Sequence, residues 1–142
     1  MSYDLQVLNG DLVFQGGDLQ TVVDTDKLVQ DILKVCLTDA GGDPMNPWYG
    51  SYISRTLIGS YLDTSITVQV AQAQLQNAIE NLRTLQTAQI KSFQPVSAAE
   101  QLSAILDISI VRNTVDPRVF NVKVRVLSKA LTPVTTSFNV TL

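Results

Sequence analysis

Acid–base chemistry needs titratable groups that can be brought together, and this chain offers few. Its 142 residues include no histidine, one cysteine and two glutamates. The missing histidine removes the commonest general base, the Ser-His triad and most zinc sites. Cys36 cannot close an internal disulfide, and no Cys-x-x-Cys or Cys/His cluster exists for a metal. On an apolar helix face it reads as a buried, inert thiol. Among the carboxylates, Asp39, Asp43 and Asp63 lie in sequence around Trp48 and Tyr49, a combination that suits a sugar-binding cleft. Glycoside hydrolysis would need two of them facing each other, but capping and turn chemistry accounts for all three. Glu80 and Glu100 fall on predicted helices. No Gly-x-Ser-x-Gly, P-loop or Gly-x-Gly-x-x-Gly motif occurs, and the Gly-Gly-Asp-Pro run at 41–44 is too short to cradle a phosphate and lacks the lysine. No catalytic, cofactor-binding or metal-binding residues are expected, and the chain is not expected to be an enzyme.

The elements that would position any site begin with a seven-residue repeat, Asp-Leu at 4–5, 11–12 and 18–19. Asn9-Gly10 between short apolar alternations is a strong hairpin signal, and Gly16-Gly17 permits a second reversal. Residues 1–23 therefore read as a β-ribbon of up to three strands. Its aspartates stand on separate turns, which is turn chemistry rather than a calcium loop.

Asp24 or Thr25 is the expected cap of a helix whose apolar stripe is Leu28, Ile32 and Val35, widened by Val29, Leu33 and Cys36. Gly41-Gly42 stop it near Leu37-Thr38, and Pro44 and Pro47 prevent its return. The stretch Leu33–Gly50 reads as a structural joint that holds Trp48 and Tyr49 against the core or an interface. A short helix over Tyr52–Ser60 follows. The longest helix starts at Thr64 or Ser65 and runs to about residue 90, with Val68, Ala71, Leu75, Ala78, Leu82 and Leu85 in one stripe. Its other faces carry Gln69, Gln72, Gln74, Gln76, Gln86 and Gln89.

Ser97-Ala-Ala-Glu100 has the form of a capping box, predicting a short helix over Ala98–Ile105. Period-2 alternation then takes over around Leu106–Val111, Asn121–Val126 and Ser137–Leu142, with turns at Asn113–Pro117 and Ser128–Pro133. The fold class is α+β: an N-terminal β-ribbon, two or three helices including one long one, and a C-terminal antiparallel meander packed on them. One domain spans 1–142, divided at residues 23 and 95. The final strand carries no charge. Either it is an edge open to another chain, or it is internal to the sheet and needs no guard.

Composition narrows the partners. Charged residues make up 16% of the chain against about 25% in ordinary soluble proteins. Uncharged polar residues replace them, which suits a subunit packed against others. A net charge of -3 supplies no basic excess for nucleic acid. No apolar run approaches roughly 18 residues, and no signal-peptide core opens the chain. Synthesis and folding in a cytoplasm are expected, with no membrane and no cofactor.

The order of these elements resembles a known family. Residues 10–51, GDLVFQGGDLQTVVDTDKLVQDILKVCLTDAGGDPMNPWYGS, are similar to the N-terminal half of the baseplate wedge, or sheath-initiator, proteins of contractile phage tails. That family has a Gly-Asp-Leu ribbon, a helix ending in a Leu-Leu-Thr-like step, and a loop with Gly-Glu, Pro and Tyr/Phe-Gly. The corresponding positions here are Cys36-Leu37-Thr38, Gly42-Asp43, Pro47 and Tyr49-Gly50. A Glu-Pro-Arg-like step of the family is matched by Asp116-Pro117-Arg118, with Ser97–Asn113 interposed. The family is related to a type VI secretion baseplate subunit, and its members are often labelled acidic lysozymes. The resemblance implies a structural role in the virion tail: docking on other wedge subunits, on tail sheath protein and on tube or hub proteins. It implies protein-interface positions at Trp48, Tyr49, Asp116, Pro117 and Arg118. The uncharged last strand adds Phe138, Val140 and Leu142. Either Val134–Leu142 or Arg118–Leu127 is expected to offer the edge that sheath strands extend.

Overall fold

The computed structural model describes residues 2–57 and 64–141. Its first part gives the seven-residue repeat a physical meaning. Six short strands, β1 (Tyr3–Leu5), β2 (Val7–Leu8), β3 (Asp11–Leu12), β4 (Phe14–Gln15), β5 (Asp18–Leu19) and β6 (Thr21–Val23), pair as β1–β6, β2–β3 and β4–β5. Asn9 and Gly10 take positive φ angles of 53° and 84°, the combination a type I′ hairpin turn requires. Both expected hairpins form, but they do not share one ribbon. Gln6, Val13 and Gln20, the residues that follow each Asp-Leu, close a ring of main-chain hydrogen bonds. Gln6 N–H donates to Gln20 C=O, Gln20 N–H to Val13 C=O and Val13 N–H to Gln6 C=O, at 2.9, 2.9 and 3.0 Å. Three two-stranded arms radiate from that ring. The Asp4 and Asp11 carboxylates fix the strand ends by accepting from the N–H of the next leucine.

Helix α1 (Asp24–Leu37) buries Leu28, Ile32, Val35 and Cys36, the stripe expected of it. Neither Asp24 nor Thr25 caps it. The N-cap is Val23, without a side-chain bond, and Asp24 enters at φ 50° with its carboxylate accepting from Ser97 Oγ at 2.7 Å. Gln30 stitches the arms to this helix. Its buried amide donates to the Asp4 carboxylate and Leu5 C=O, and accepts from Val7 N–H.

The joint after α1 is a closed loop. Ser51 N–H donates to Thr38 C=O at 2.8 Å, Ala40 N–H to Ser51 C=O at 3.0 Å, and Ser51 Oγ to Cys36 C=O at 2.6 Å. Gly50 makes this closure fit. It sits at φ 110°, and a β-carbon there would lie 2.5 Å from the Thr38 carbonyl oxygen and 2.9 Å from Ala40 N. Gly50→Ala combines backbone strain with a clash against main chain that cannot rotate away. It is expected to destabilise the fold by about 2–4 kcal/mol in urea unfolding.

Helix α2 (Ile53–Leu57) follows with Ile53 and Leu57 buried. The expected continuation through Ile58–Ser60 lies outside the described residues, as does Asp63. Helix α3 (Thr64–Lys91) presents Ala71, Leu75, Ala78, Ile79 and Leu82 to the core. Each large aliphatic side chain removed from water in this way contributes about 1.5–3 kcal/mol before ordering costs.

Beyond α3 the predicted helix over Ala98–Ile105 is absent. Residues 98–101 form a turn, and Leu102 opens β7 (Leu102–Arg112), which pairs with β8 (Val119–Ser128); β8 pairs in turn with β9 (Pro133–Thr141). All pairs are antiparallel, so β8 is the central strand. The inward face, including Phe120, Val122, Val124, Val126, Val134 and Val140, packs under α1 and α3. The fold is therefore α+β: among the described residues it has small N-terminal strands, three helices, and a three-stranded antiparallel sheet against the helices.

Glu100 holds the turn that replaces the predicted helix. Its carboxylate accepts from Ser2 N–H at 3.0 Å and from the Ser2 hydroxyl. Burial raises its pKa, but the bonds from Ser2 and Ser97 outweigh burial and hold it below the ordinary 4.5. A lowered carboxylate stabilises the fold above its unfolded pKa and loses that contribution as pH falls through the folded value. Stability should therefore fall on acidification below about pH 4.5. It should fall less steeply in Glu100→Gln, as read by urea midpoints across the acid range.

Candidate functional site

The sheet has two edges, and they are treated differently. On the β7 edge the register shifts twice, between Leu102 and Ala104 and between Ile105 and Asp107. Bulges of this kind twist an edge away from further pairing. Strand β7 also carries Asp107 and Arg112, and Gln72 of α3 donates from Nε2 to Ile108 C=O at 2.9 Å. Strand β9 has none of these guards. Its nine residues, Pro-Val-Thr-Thr-Ser-Phe-Asn-Val-Thr, hold no charge, its register with β8 is regular, and among the described residues no strand lies on its other side.

Beside β9 runs an apolar groove of about 530 Å³. Val7 and Leu8 of the first hairpin, Leu33 and Leu37 of α1, and Ser137 and Phe138 of β9 line it. Leu37 and Leu8 remain exposed there, at 56% and 61%. Leu12 of the same hairpin, and Phe14 and Leu19 of the next arm, are exposed too. An uncharged strand with one unpaired edge, next to an apolar trough, has what strand addition requires: backbone groups for affinity and pockets for side chains.

The expected interface residues divide into two places. The Asp116-Pro117-Arg118 turn joins β7 to β8, and the register sets Val119 opposite Thr141 and Phe120 opposite Val140, so this turn and the end of β9 share one end of the sheet. Arg118 is largely exposed. Its main-chain N–H and its Nε both meet Asp116 Oδ1, at 3.0 and 3.4 Å, and these bonds lower the Asp116 pKa, the main-chain bond most. Phe138 is partly buried, facing both core and groove, whereas the Val140 side chain is buried in the core. What β9 offers at Val140 is backbone. Leu142 lies outside the described residues. The alternative edge, Arg118–Leu127, is corrected by the pairing, because β8 is bonded on both sides and offers no edge.

Trp48 and Tyr49 lie elsewhere, against α3. Tyr49 packs on the core, and burial, then the nearby Asp31 carboxylate, push its hydroxyl up to about 12. Trp48 meets Tyr49 edge-on at 6.2 Å and stays 44% exposed, its carbonyl oxygen accepting from Asn81 Nδ2 at 3.2 Å. Asp43 is partly exposed at the surface; bonds from Met45 N–H and Asn46 Nδ2 are turn chemistry and keep its carboxyl low.

One polar cavity, about 300 Å³, went unread in the sequence. Asp4, Lys27, Asp31, Tyr49, Gln86 and Gln89 line part of it. Burial raises Asp31, offset in part by Lys27 Nζ at 2.8 Å. Burial also acts to raise Asp4, but the Lys34 ammonium and the Gln30 amide reverse the sign. Two carboxylates with diverging pKa values in one cavity can in principle divide acid and base roles. Here each is paired with a lysine of α1, which accounts for both without a substrate. Cys36 is inert: burial pushes its thiol up to about 12. No group of three or more potential metal ligands occurs among the described residues, and no described helix is long and apolar enough to cross a membrane.

No family model matches the chain, and no curated protein matches it by sequence. Among solved structures, it shares its fold with a Geobacter sulfurreducens protein provisionally described as a tail lysozyme. The TM-score is 0.59 at 12% identity, over 82% of this chain and 89% of that one. At that identity the likeness defines the fold.

Proposed function

We propose that this chain is a structural component of a contractile-tail baseplate, not an enzyme, which links wedge subunits and templates the first sheath ring by strand addition. The observation that carries the reading is the contrast between the two sheet edges: β7 is bulged, charged and tethered by Gln72, while β9 is regular, uncharged and bordered by an apolar groove. The fold shared with a protein described as a tail lysozyme supports a tail setting, as does the order of motifs from Gly10 to Gly50. Wedge neighbours would meet the Asp116-Pro117-Arg118 turn and Trp48, sheath would meet β9, and tube or hub proteins remain further partners. The site of action is the virion baseplate, assembled in a host cytoplasm. The test is assembly: tails made without this chain should carry tubes but no sheath, and normally sheathed tails would overturn the reading.

A cell-wall hydrolase is the second reading, favoured by the divergent Asp31 and Asp4 carboxylates in one cavity. Purified protein should leave peptidoglycan intact. Lysis that disappears in Asp31→Asn would establish the hydrolase instead.

A further inference from the structure

The charge of this acidic chain is unevenly placed. Residues 102–142 hold Arg112, Arg118, Lys123, Arg125 and Lys129 against Asp107 and Asp116 alone, whereas residues 1–101 hold five cations and eleven carboxylates. Two of the five cations in the sheet region have side-chain partners: Arg112 lies 5.0 Å over the Phe120 ring and Arg118 pairs with Asp116. Lys129 stands apart from the sheet face, in the turn between β8 and β9. Lys123 and Arg125 remain. Both are exposed on the central strand, on the sheet face turned away from the helices, and neither has an ion pair among the described residues. The register puts Lys123 between Ser109 and Ser137, and Arg125 between Asp107 and Thr135. Two long cations thus stand over a floor of mostly short hydroxyl side chains, and Asp107 is the one carboxylate in those rows.

We propose that this open sheet face is a docking surface for an acidic protein segment, gripped by Lys123 and Arg125. It is separate from the β9 edge and does not depend on it. Alternate residues of a strand are about 6.8 Å apart. Carboxylates at i and i+4 of a helix stand about 6 Å apart, so one helical turn of the partner can engage both cations. Nucleic acid fits less well. Two cations displace about two counterions, a salt slope near -1.8, and the chain as a whole repels phosphate.

The probe is a labelled helical peptide of about 16 residues with Glu at every fourth position, followed by fluorescence anisotropy at about 50 and 200 mM salt. The Glu peptide should bind at least about tenfold more tightly than its Gln counterpart, weaken with salt, and lose that advantage in Lys123→Gln/Arg125→Gln. The charge-reversed Lys123→Glu/Arg125→Glu should abolish binding. The neutral pair carries the test if the reversed pair does not fold. Equal binding of the two peptides overturns the proposal, as does undiminished binding to the neutral variant. Tighter binding of a single-stranded oligonucleotide would assign the face to nucleic acid. Self-association lost in the neutral variant would assign it to a second copy of the chain.

Discussion

Placing lysines on the β9 edge, Ser137→Lys with Asn139→Lys, is expected to abolish sheath nucleation while leaving the fold intact. Both residues are exposed on an edge strand. Substitution there should cost only about 1–2 kcal/mol, the span of strand propensity plus the like charge that a lysine at 137 sets opposite Lys123. The effect on an incoming strand is far larger. Lysine is a natural guard of free edges because a docked strand must desolvate its ammonium. An unpaired buried charge costs several kcal/mol, so association should weaken by about a hundredfold or more. The same pair of lysines on β7, at Ser103 and Ser109, should leave nucleation unchanged. Removing Ser137–Leu142 outright is a poorer test, because it also strips Val140 from the core.

The largest stability effect is expected from one glutamine. Gln86 is buried on α3, where its Nε2 donates to Glu100 C=O at 2.8 Å and its Oε1 accepts from Leu102 N–H at 2.8 Å. These bonds satisfy two main-chain groups where the turn becomes β7. Gln86→Leu keeps the size and adds apolar surface, but it strands a buried donor and a buried acceptor. Each orphaned group costs about 1–3 kcal/mol, so the loss should be about 2–5 kcal/mol in urea unfolding. Gln76→Leu on the exposed side of the same helix should change stability by no more than about 0.5 kcal/mol.

That pair of glutamines marks where the sequence is legible. The stripe from Ala71 to Leu82 and the alternation of β8 follow from burial on one face, which periodicity reports directly. Gln86 looked like its polar neighbours, because residue type does not reveal a hydrogen bond to a turn distant in sequence. The misread helix at Ala98–Ile105 has a similar cause. Two bulges in β7 break the period of two, so Leu102 and Ile108 face inward while Leu106 is 47% exposed. Ser97 and Glu100 do meet at capping-box spacing, the Glu100 carboxylate taking bonds from Ser97. But Ser97 also donates to Asp24 and Glu100 also holds Ser2, so the pair fixes a turn and no helix follows. The hairpins were legible from Asn9-Gly10 and Gly16-Gly17. The ring that joins the arms was not, although the seven-residue period carries it: Gln6, Val13 and Gln20 share no residue type and meet only through main chain. Of the candidate site, the absence of charge in the last strand was readable. The apolar groove beside it was not, since it joins Val7, Leu37 and Phe138 from three distant segments.

Strand addition at β9 can be measured on the edge itself. In amide hydrogen exchange of the free chain, the β9 amides that do not face β8 should exchange fast, while those of β8 stay protected. On adding purified sheath protein, protection should rise at Val134–Thr141 and remain unchanged across Leu102–Arg112. New protection on β7, or none on β9 in a complex that demonstrably forms, would contradict the account.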